Sequence, residues 1–360
     1  KQGGSDLRAI ATVAADAGDG WHALIGHKWF CSAPMSDGFL TLARLPEGIT
    51  CFLVPRWLPD GTRNPFAIQR LKDKVGNRSN ASSEIEYDGT LAQQVGEAGR
   101  GIATLIEMAH LTRFDIVVAV AGMMRGVLNE ALHHARHRSA FGAPLVAQPL
   151  MQNVLADLAL ETEAALLIAL RLARAFDAQH EDESERLLTR ILTPVAKYWL
   201  CKRLPMFVAE CMECLGGNGY VETSALGRFY REAPLNGIWE GSGNVICLDV
   251  LRALAREPRA LEAYFGELSA AAHVDGRISR YLDGLGAELG EAAGQEARAR
   301  RITEMLALAM QANLLARHAT PAVLEAFCVS RLAHDAGRAF GTLPARLDLA
   351  GIAARAALAA

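Results

Sequence analysis

Aromatic residues make up only 6% of this 360-residue chain, and its seven cysteines follow no regular spacing. An odd, irregular cysteine set excludes a secreted scaffold stapled by disulfides and points to the reducing cytoplasm. No uncharged apolar run approaches the length of a membrane span, so no membrane partner is expected. Charge of one sign is also lacking: 37 basic residues face 40 acidic ones, a net charge of −3. That balance excludes attachment to nucleic acid through bulk positive charge alone. Lysine is absent from residues 252–360, where 13 arginines face 12 acidic residues. After Lys1 there is no basic, apolar and small-residue succession of a signal peptide.

What is present is ample core material. Hydrophobic residues reach 51% and charged residues 21%, enough for more than one domain. Within residues 1–95, short apolar runs at 21–30, 39–44, 49–55, 66–71 and 84–87 read as strands. Turn signals such as Asp19-Gly20, Ser36-Asp37-Gly38 and Pro59-Asp60-Gly61 separate them. This spacing predicts a small antiparallel barrel or sandwich. From Ile102 the apolar positions recur every three or four residues, and 102–137, 147–179, 185–215 and 245–256 read as helices of a bundle. Region 96–256 is thus a helical domain, and 257–360 a helical appendage split near 284–294 and at Thr320-Pro321. Gly3-Gly4-Ser5-Asp6 is a turn-like motif with no element before it, so an amino-terminal part is expected to be missing.

Chemistry concentrates in a few motifs. In Trp239-Glu240-Gly241-Ser242-Gly243-Asn244, a carboxylate beside an indole precedes a helix. Desolvation there would raise its pKa toward the range useful to a general base. A capped helix start explains the same residues. Leu215-Gly216-Gly217-Asn218-Gly219-Tyr220 reads as a helix stop or as a loop facing a phosphate. Arg138-Ser139-Ala140-Phe141-Gly142 offers a cation that suits either a helix carboxyl end or an anion. Cys211-x-x-Cys214 has half the spacing of a metal site, but nothing completes it, so no metal is expected.

Taken in order, these motifs and Gly26-His27-Lys28-Trp29-Phe30-Cys31-Ser32 resemble the FAD-dependent acyl-CoA dehydrogenases over residues 1 to about 256. The stretch from Arg70 to Asn80, the stretch from Tyr230 to Trp239 and the extra tail resemble the AidB-type, DNA alkylation response branch. The resemblance implies an α+β fold: a small β-barrel domain, a four-helix bundle and an added C-terminal helical region. It implies that Gly4, Ser5, Trp29, Phe30 and Ser32 lie along the FAD, with Phe30 in place of the usual tryptophan. Arg138, Phe141, Gly216 and Gly217 match positions touching the FAD of a neighbouring subunit, so a homotetramer is implied. Ser242 and Asn244 match flavin contacts after the catalytic residue. Glu240 is then the base that removes an acyl-CoA α-proton, and Ser5 and Arg113 face the substrate. Some relatives carry the base beside Arg113, but Leu111 and Thr112 are not carboxylates, so Glu240 is favoured. Glu107 reads as structural. The branch also implies weak, sequence-independent binding of double-stranded DNA, for which Arg298, Arg300 and Arg301, with Arg252, Arg256 and Arg259, are the candidate cations.

Overall fold

A computed structural model describes residues 3–291 and 293–358. Lys1 and Gln2, which open the first motif, lie outside the described residues. The chain divides into two compact units, Lys1–Thr112 and Arg113–Ala360.

The first unit is a closed sheet. Its strands are β1 (Val13–Gly18), β2 (Trp21–Ser32), β3 (Gly38–Leu45), β4 (Gly48–Pro55), β5 (Ala67–Leu71) and β6 (Ser82–Val95). The order is β2-β1-β3-β4-β6-β5, and β2 pairs again with β6 to close a barrel. Strand β6 reaches both neighbours because it is long: Ser82 to Gln93 pair with β2, and Gln93 to Val95 pair with β4. Leu24, Phe52, Val54, Ile85 and Tyr87 fill the interior. Each large apolar side chain withdrawn from water contributes about 1.5–3 kcal/mol.

Strand β1 is not visible in the sequence, and the reason is local. Val-Ala-Ala-Asp-Ala-Gly has little β propensity, and five of its six residues are exposed. Pairing with β2 creates it, across a turn in which Asp19 and Gly20 both take positive φ. That is the two-residue hairpin geometry matching the twist of antiparallel strands.

Helix α1 (Gly101–His137) begins in the first unit, where the Gly101 backbone presses on β4. A Cβ at Gly101 would lie 2.3 Å from the Cys51 nitrogen. The second unit holds the rest of α1, then a two-stranded hairpin, β7 (Ser139–Ala140) and β8 (Ala143–Pro144). Helices α2 (Pro149–Ala178), α3 (Glu183–Cys214), α4 (Leu226–Asn236), α5 (Gly243–Arg256), α6 (Pro258–Ser269), α7 (Gly276–Gly290) and α8 (Gln295–His318) follow. Two short helices, α9 (Pro321–Phe327) and α10 (Leu349–Ala356), complete it, with a π-turn at Cys328–Leu332 after α9.

Helix α4 is absent from the sequence reading because Gly227 and Pro234 mask its period. The helices of region 257–360 share one apolar core with α1 to α3, reaching from Ile116 to Ala353. Buried polar contacts tie these parts together. The Tyr264 hydroxyl donates to the Leu306 carbonyl at 2.9 Å, and Arg171 bridges Glu185 and Glu267 at 2.7 and 2.9 Å. Among the described residues, no helix is long and apolar enough to cross a membrane.

Candidate functional site

In the first unit a cavity of about 450 Å³ opens beside β2. Gly4, Trp29, Phe30 and Ser32 line it, as do Lys28 and Tyr87. Gly3 lets the chain pass close to the indole, since a Cβ there would lie 2.7 Å from Trp29 Cβ. Gly4 has φ +103° and open space around it, a conformation that suits glycine. Ser5 is exposed outside the cavity, and its carbonyl accepts from the Leu7 amide at 3.1 Å. Trp29 and Phe30 meet edge to face at 6.5 Å. Lys72 Nζ stands 3.4 Å from the Trp29 ring centre and 4.7 Å from that of Phe30, while pairing with buried Glu84 at 2.8 Å. A cation over an aromatic face is attracted by the ring quadrupole, so Lys72 helps fix this pair. Lys28 Nζ donates to the Leu42 carbonyl at 2.7 Å, and burial pulls its pKa down to about 8. Burial pushes the Cys31 thiol up to about 11.

In the second unit the structure draws attention to the loop between α4 and α5. Glu240 has φ +54° and Gly241 φ +107°. A non-glycine residue in the left-handed region costs about 1–2 kcal/mol, so something must hold it. Two cations do so. Lys197 Nζ, from the middle of α3, donates to the Trp239 carbonyl at 2.9 Å and to the Gly241 carbonyl at 2.6 Å. Arg113 Nε, from α1, donates to the Glu240 carbonyl at 2.9 Å. Arg113 is itself anchored by Asp249 at 2.8 Å, whose other oxygen takes Arg190 at 3.1 Å. Lys197 is only 1% exposed, and burial lowers its pKa.

Three successive carbonyls are thus captured, while the Glu240 side chain accepts no hydrogen bond and its amide donates none among the described residues. Arg113, expected at the substrate, spends its guanidinium on this loop and on Asp249. Asn244, expected at the flavin, accepts from Arg300 Nε of α8 at 2.8 Å. Ser242 is the residue before α5 and makes no side-chain cap.

The remaining candidates stand on other elements. Phe141 and Gly142, φ +55° and +85°, form the tip of the β7–β8 hairpin, and Phe141 is 98% exposed. Arg138, also exposed, precedes that hairpin, and its amide closes the last turn of α1 on the His134 carbonyl at 2.8 Å. Gly216 and Gly217 open a 3-10 turn, Gly216–Tyr220, beside a hollow of about 250 Å³ lined by Met212, Tyr220 and Tyr230. Cys211 and Cys214 are buried core residues, and burial pushes the Cys214 thiol up to about 12. Several of the arginines considered for DNA are engaged. Arg298 and Arg301 pair with Glu288 at 2.6 and 3.0 Å, and Arg259 pairs with Glu183 at 2.8 Å. Arg252 and Arg256 are exposed.

Sequence reasoning missed Lys197, Asp249, Arg190 and Lys72. For Lys197 a signal existed: it occupies the same helical stripe as Thr193, Leu200, Cys201 and Leu204, which are all buried. A lysine on the apolar stripe of a helix has to be paired with something.

Residues 1–90 match the family model for the acyl-CoA dehydrogenase middle domain, and residues 99–255 match the model for the acyl-CoA dehydrogenase C-terminal domain. The putative acyl-CoA dehydrogenase AidB of Escherichia coli (strain K12) is 44% identical over 328 residues, which is 91% of this chain and 60% of that protein. The crystal structure of Caenorhabditis elegans ACDH-11 in complex with C11-CoA superimposes with a TM-score of 0.83 at 28% identity, covering 90% of this chain and 61% of that one. An acyl-CoA dehydrogenase from Bacillus anthracis, complexed with FAD, shares the fold at 18% identity and a TM-score of 0.70, over 89% of this chain and 60% of that one. The chain therefore spans about 60% of the length of these proteins.

Proposed function

The chain belongs to the acyl-CoA dehydrogenase family, and from that premise we propose that it is an FAD-dependent oxidoreductase acting on an acyl-CoA, with Glu240 as base. The observation that carries this reading is residue 240 itself. Its backbone is held in a strained conformation, and among the described residues its carboxylate accepts no hydrogen bond and its amide donates none. Strain maintained by surrounding groups is a mark of functional sites.

The residues of the first unit fit the cofactor. A cavity walled by Trp29 and Phe30, edged by the Ser32 hydroxyl and open at the Gly4 backbone, suits a planar heteroaromatic ring. Gly4, Trp29, Phe30 and Ser32 would hold FAD there, with Ser5 beside them; in the second unit Ser242 and Asn244 match flavin-contact positions, and Gly216 and Gly217 match positions that touch the FAD of another subunit. Exposed Arg138 and Phe141 suit contact with the FAD of another subunit, as in a homotetramer. When bound, FAD supplies the acceptor for the substrate's β-hydride.

The α-hydrogen of a thioester is weakly acidic until charge on its carbonyl oxygen is stabilised. The free amide of Glu240 is a donor suited to that oxygen, and the carboxylate of the same residue takes the proton. One residue thereby supplies both the base and the electrostatic stabilisation. The acyl-CoA class is supported by ACDH-11, which is complexed with C11-CoA.

The test is anaerobic titration of the purified, FAD-loaded protein with acyl-CoAs of graded length, following loss of flavin absorbance. Glu240→Gln keeps shape but removes the proton acceptor, so bleaching should slow by at least about a hundredfold. A rate within a few-fold of the parent's defeats the assignment, and a folded protein that takes up no FAD defeats the whole reading.

A cytoplasmic role linked to the DNA alkylation response is the further part of the proposal, and it rests on the resemblance of residues 70–80, 230–239 and the C-terminal tail to the AidB-type branch. Direct duplex binding is the weaker component, because the arginine cluster of α8 is largely consumed by Glu288 and Asn244. What binding there is should be sequence-independent and fall steeply with salt. Absence of a band shift at low ionic strength removes it.

A further inference from the structure

We propose that Lys197 is a positioning residue that sets the conformation of Glu240 and turns its amide outward as an oxyanion donor. This rests on the reading of Glu240 given above. The argument begins with an oddity of burial. Lys197 is 1% exposed, yet its hydrogen bonds go to two neutral carbonyls and to no carboxylate. A buried ammonium is costly, and an apolar side chain of similar volume would pack on the α3 stripe at no such cost. A charge kept there answers to the loop it holds.

The geometry says what it holds. The Trp239 carbonyl belongs to the peptide plane before residue 240, and the Gly241 carbonyl belongs to the plane after residue 241. One ammonium binds both, at 2.9 and 2.6 Å, while Arg113 takes the Glu240 carbonyl between them at 2.9 Å. Three successive planes are fixed, so the dihedral angles of residues 240 and 241 are fixed too, at φ +54° and +107°. In a trans peptide the N–H points opposite to the C=O. With the Trp239 carbonyl on Lys197, the Glu240 N–H must face away from Lys197, consistent with its lack of any acceptor among the described residues. The same clamp therefore orients both the base and the oxyanion donor.

The ionisable groups acting on Lys197 are Cys201 and Lys202 on α3, Arg113 on α1 and Glu240 on the loop. Burial, with Arg113 and Lys202, lowers its pKa, and the clamp should loosen as pH rises toward alkaline values.

The test uses Lys197→Met in the FAD-loaded protein, with two readouts. Amide hydrogen exchange over residues 237–242 should accelerate about tenfold or more while the helical core exchanges as before. The rate of flavin reduction by acyl-CoA should fall about a hundredfold, with half-saturation nearly unchanged, since an oxyanion donor acts on the transition state. Should Lys197→Met not fold, Lys197→Gln takes its place: its shorter neutral side chain cannot span both carbonyls, and the same segment should exchange faster. Unchanged exchange with a rate within threefold of the parent overturns the proposal. Slow reduction without faster exchange also overturns it, while leaving Glu240 as base intact. If the parent is reduced by no acyl-CoA, the reading of Glu240 fails separately, and exchange alone decides the clamp.

Discussion

Arg331 is the perturbation that most directly asks whether region 257–360 is integral to the helical unit. Its guanidinium, half-buried after α9, donates to Asp157 Oδ1 and, at 3.0 Å, to Glu161 Oε2 on α2. Asp157 also accepts the Gly341 amide at 2.9 Å, and Glu161 is shared with Arg203 of α3 at 2.8 Å. Burial would push the Glu161 carboxyl up, but Arg203 and Arg331 outweigh it and hold it at about 2 rather than 4.5. That depression corresponds to about 3 kcal/mol of folded-state stabilisation, present in full above pH 4.5 and lost as pH falls toward 2. Arg331→Met keeps most of the volume and leaves Asp157 with a single amide donor and Glu161 with Arg203 alone. Removing one partner from a buried ionic group costs about 3–5 kcal/mol. For a unit of this size that lowers the melting temperature by about 6–20 °C. Circular dichroism melts at pH 7 and pH 3 are the assay. The deficit of Arg331→Met should shrink at pH 3, where the stranded carboxylates begin to protonate. A loss below 2 °C at pH 7, or one that does not change with pH, would refute the reasoning.

Two further substitutions separate structural from functional demands. Gly219→Ala places a Cβ 2.1 Å from the Met212 carbonyl oxygen, at the end of α3, and should destabilise by about 3 kcal/mol. Gly217→Ala meets nothing within 4 Å and should stay within about 0.5 kcal/mol, so equal melting temperatures for the two would show that the contact is not what matters. Phe141→Gly relieves a positive φ at a residue that is 98% exposed, and should leave the melt unchanged or slightly raised. If Phe141 meets the FAD of another subunit, the same change weakens FAD binding several-fold in a fluorescence titration, and unaltered binding removes that role.

Much of this protein is legible in its sequence because much of it is local. The three- and four-residue period from Ile102 onward, and the Asp19-Gly20 and Leu215-Gly216-Gly217 signals, report which residues meet the core and where the chain turns. The motif around Glu240 marked the candidate base, since a glutamate before Gly241 and a helix start stands out in any reading. Other features depended on partners far along the chain. Strand β1 exists through β2, and its own residues barely favour it. The loop at Glu240 is held by Arg113 and Lys197, more than a hundred and more than forty positions away, and Arg300 meets Asn244 from α8. Arg113 and Asn244 are read in sequence as ligand contacts, and in the fold Arg113 also holds Glu240 and Asp249 while Asn244 accepts from Arg300. Periodicity reveals that a face is buried, because burial repeats with the helix. Which carbonyl a buried cation meets is set by how helices pack, and packing has no period to read.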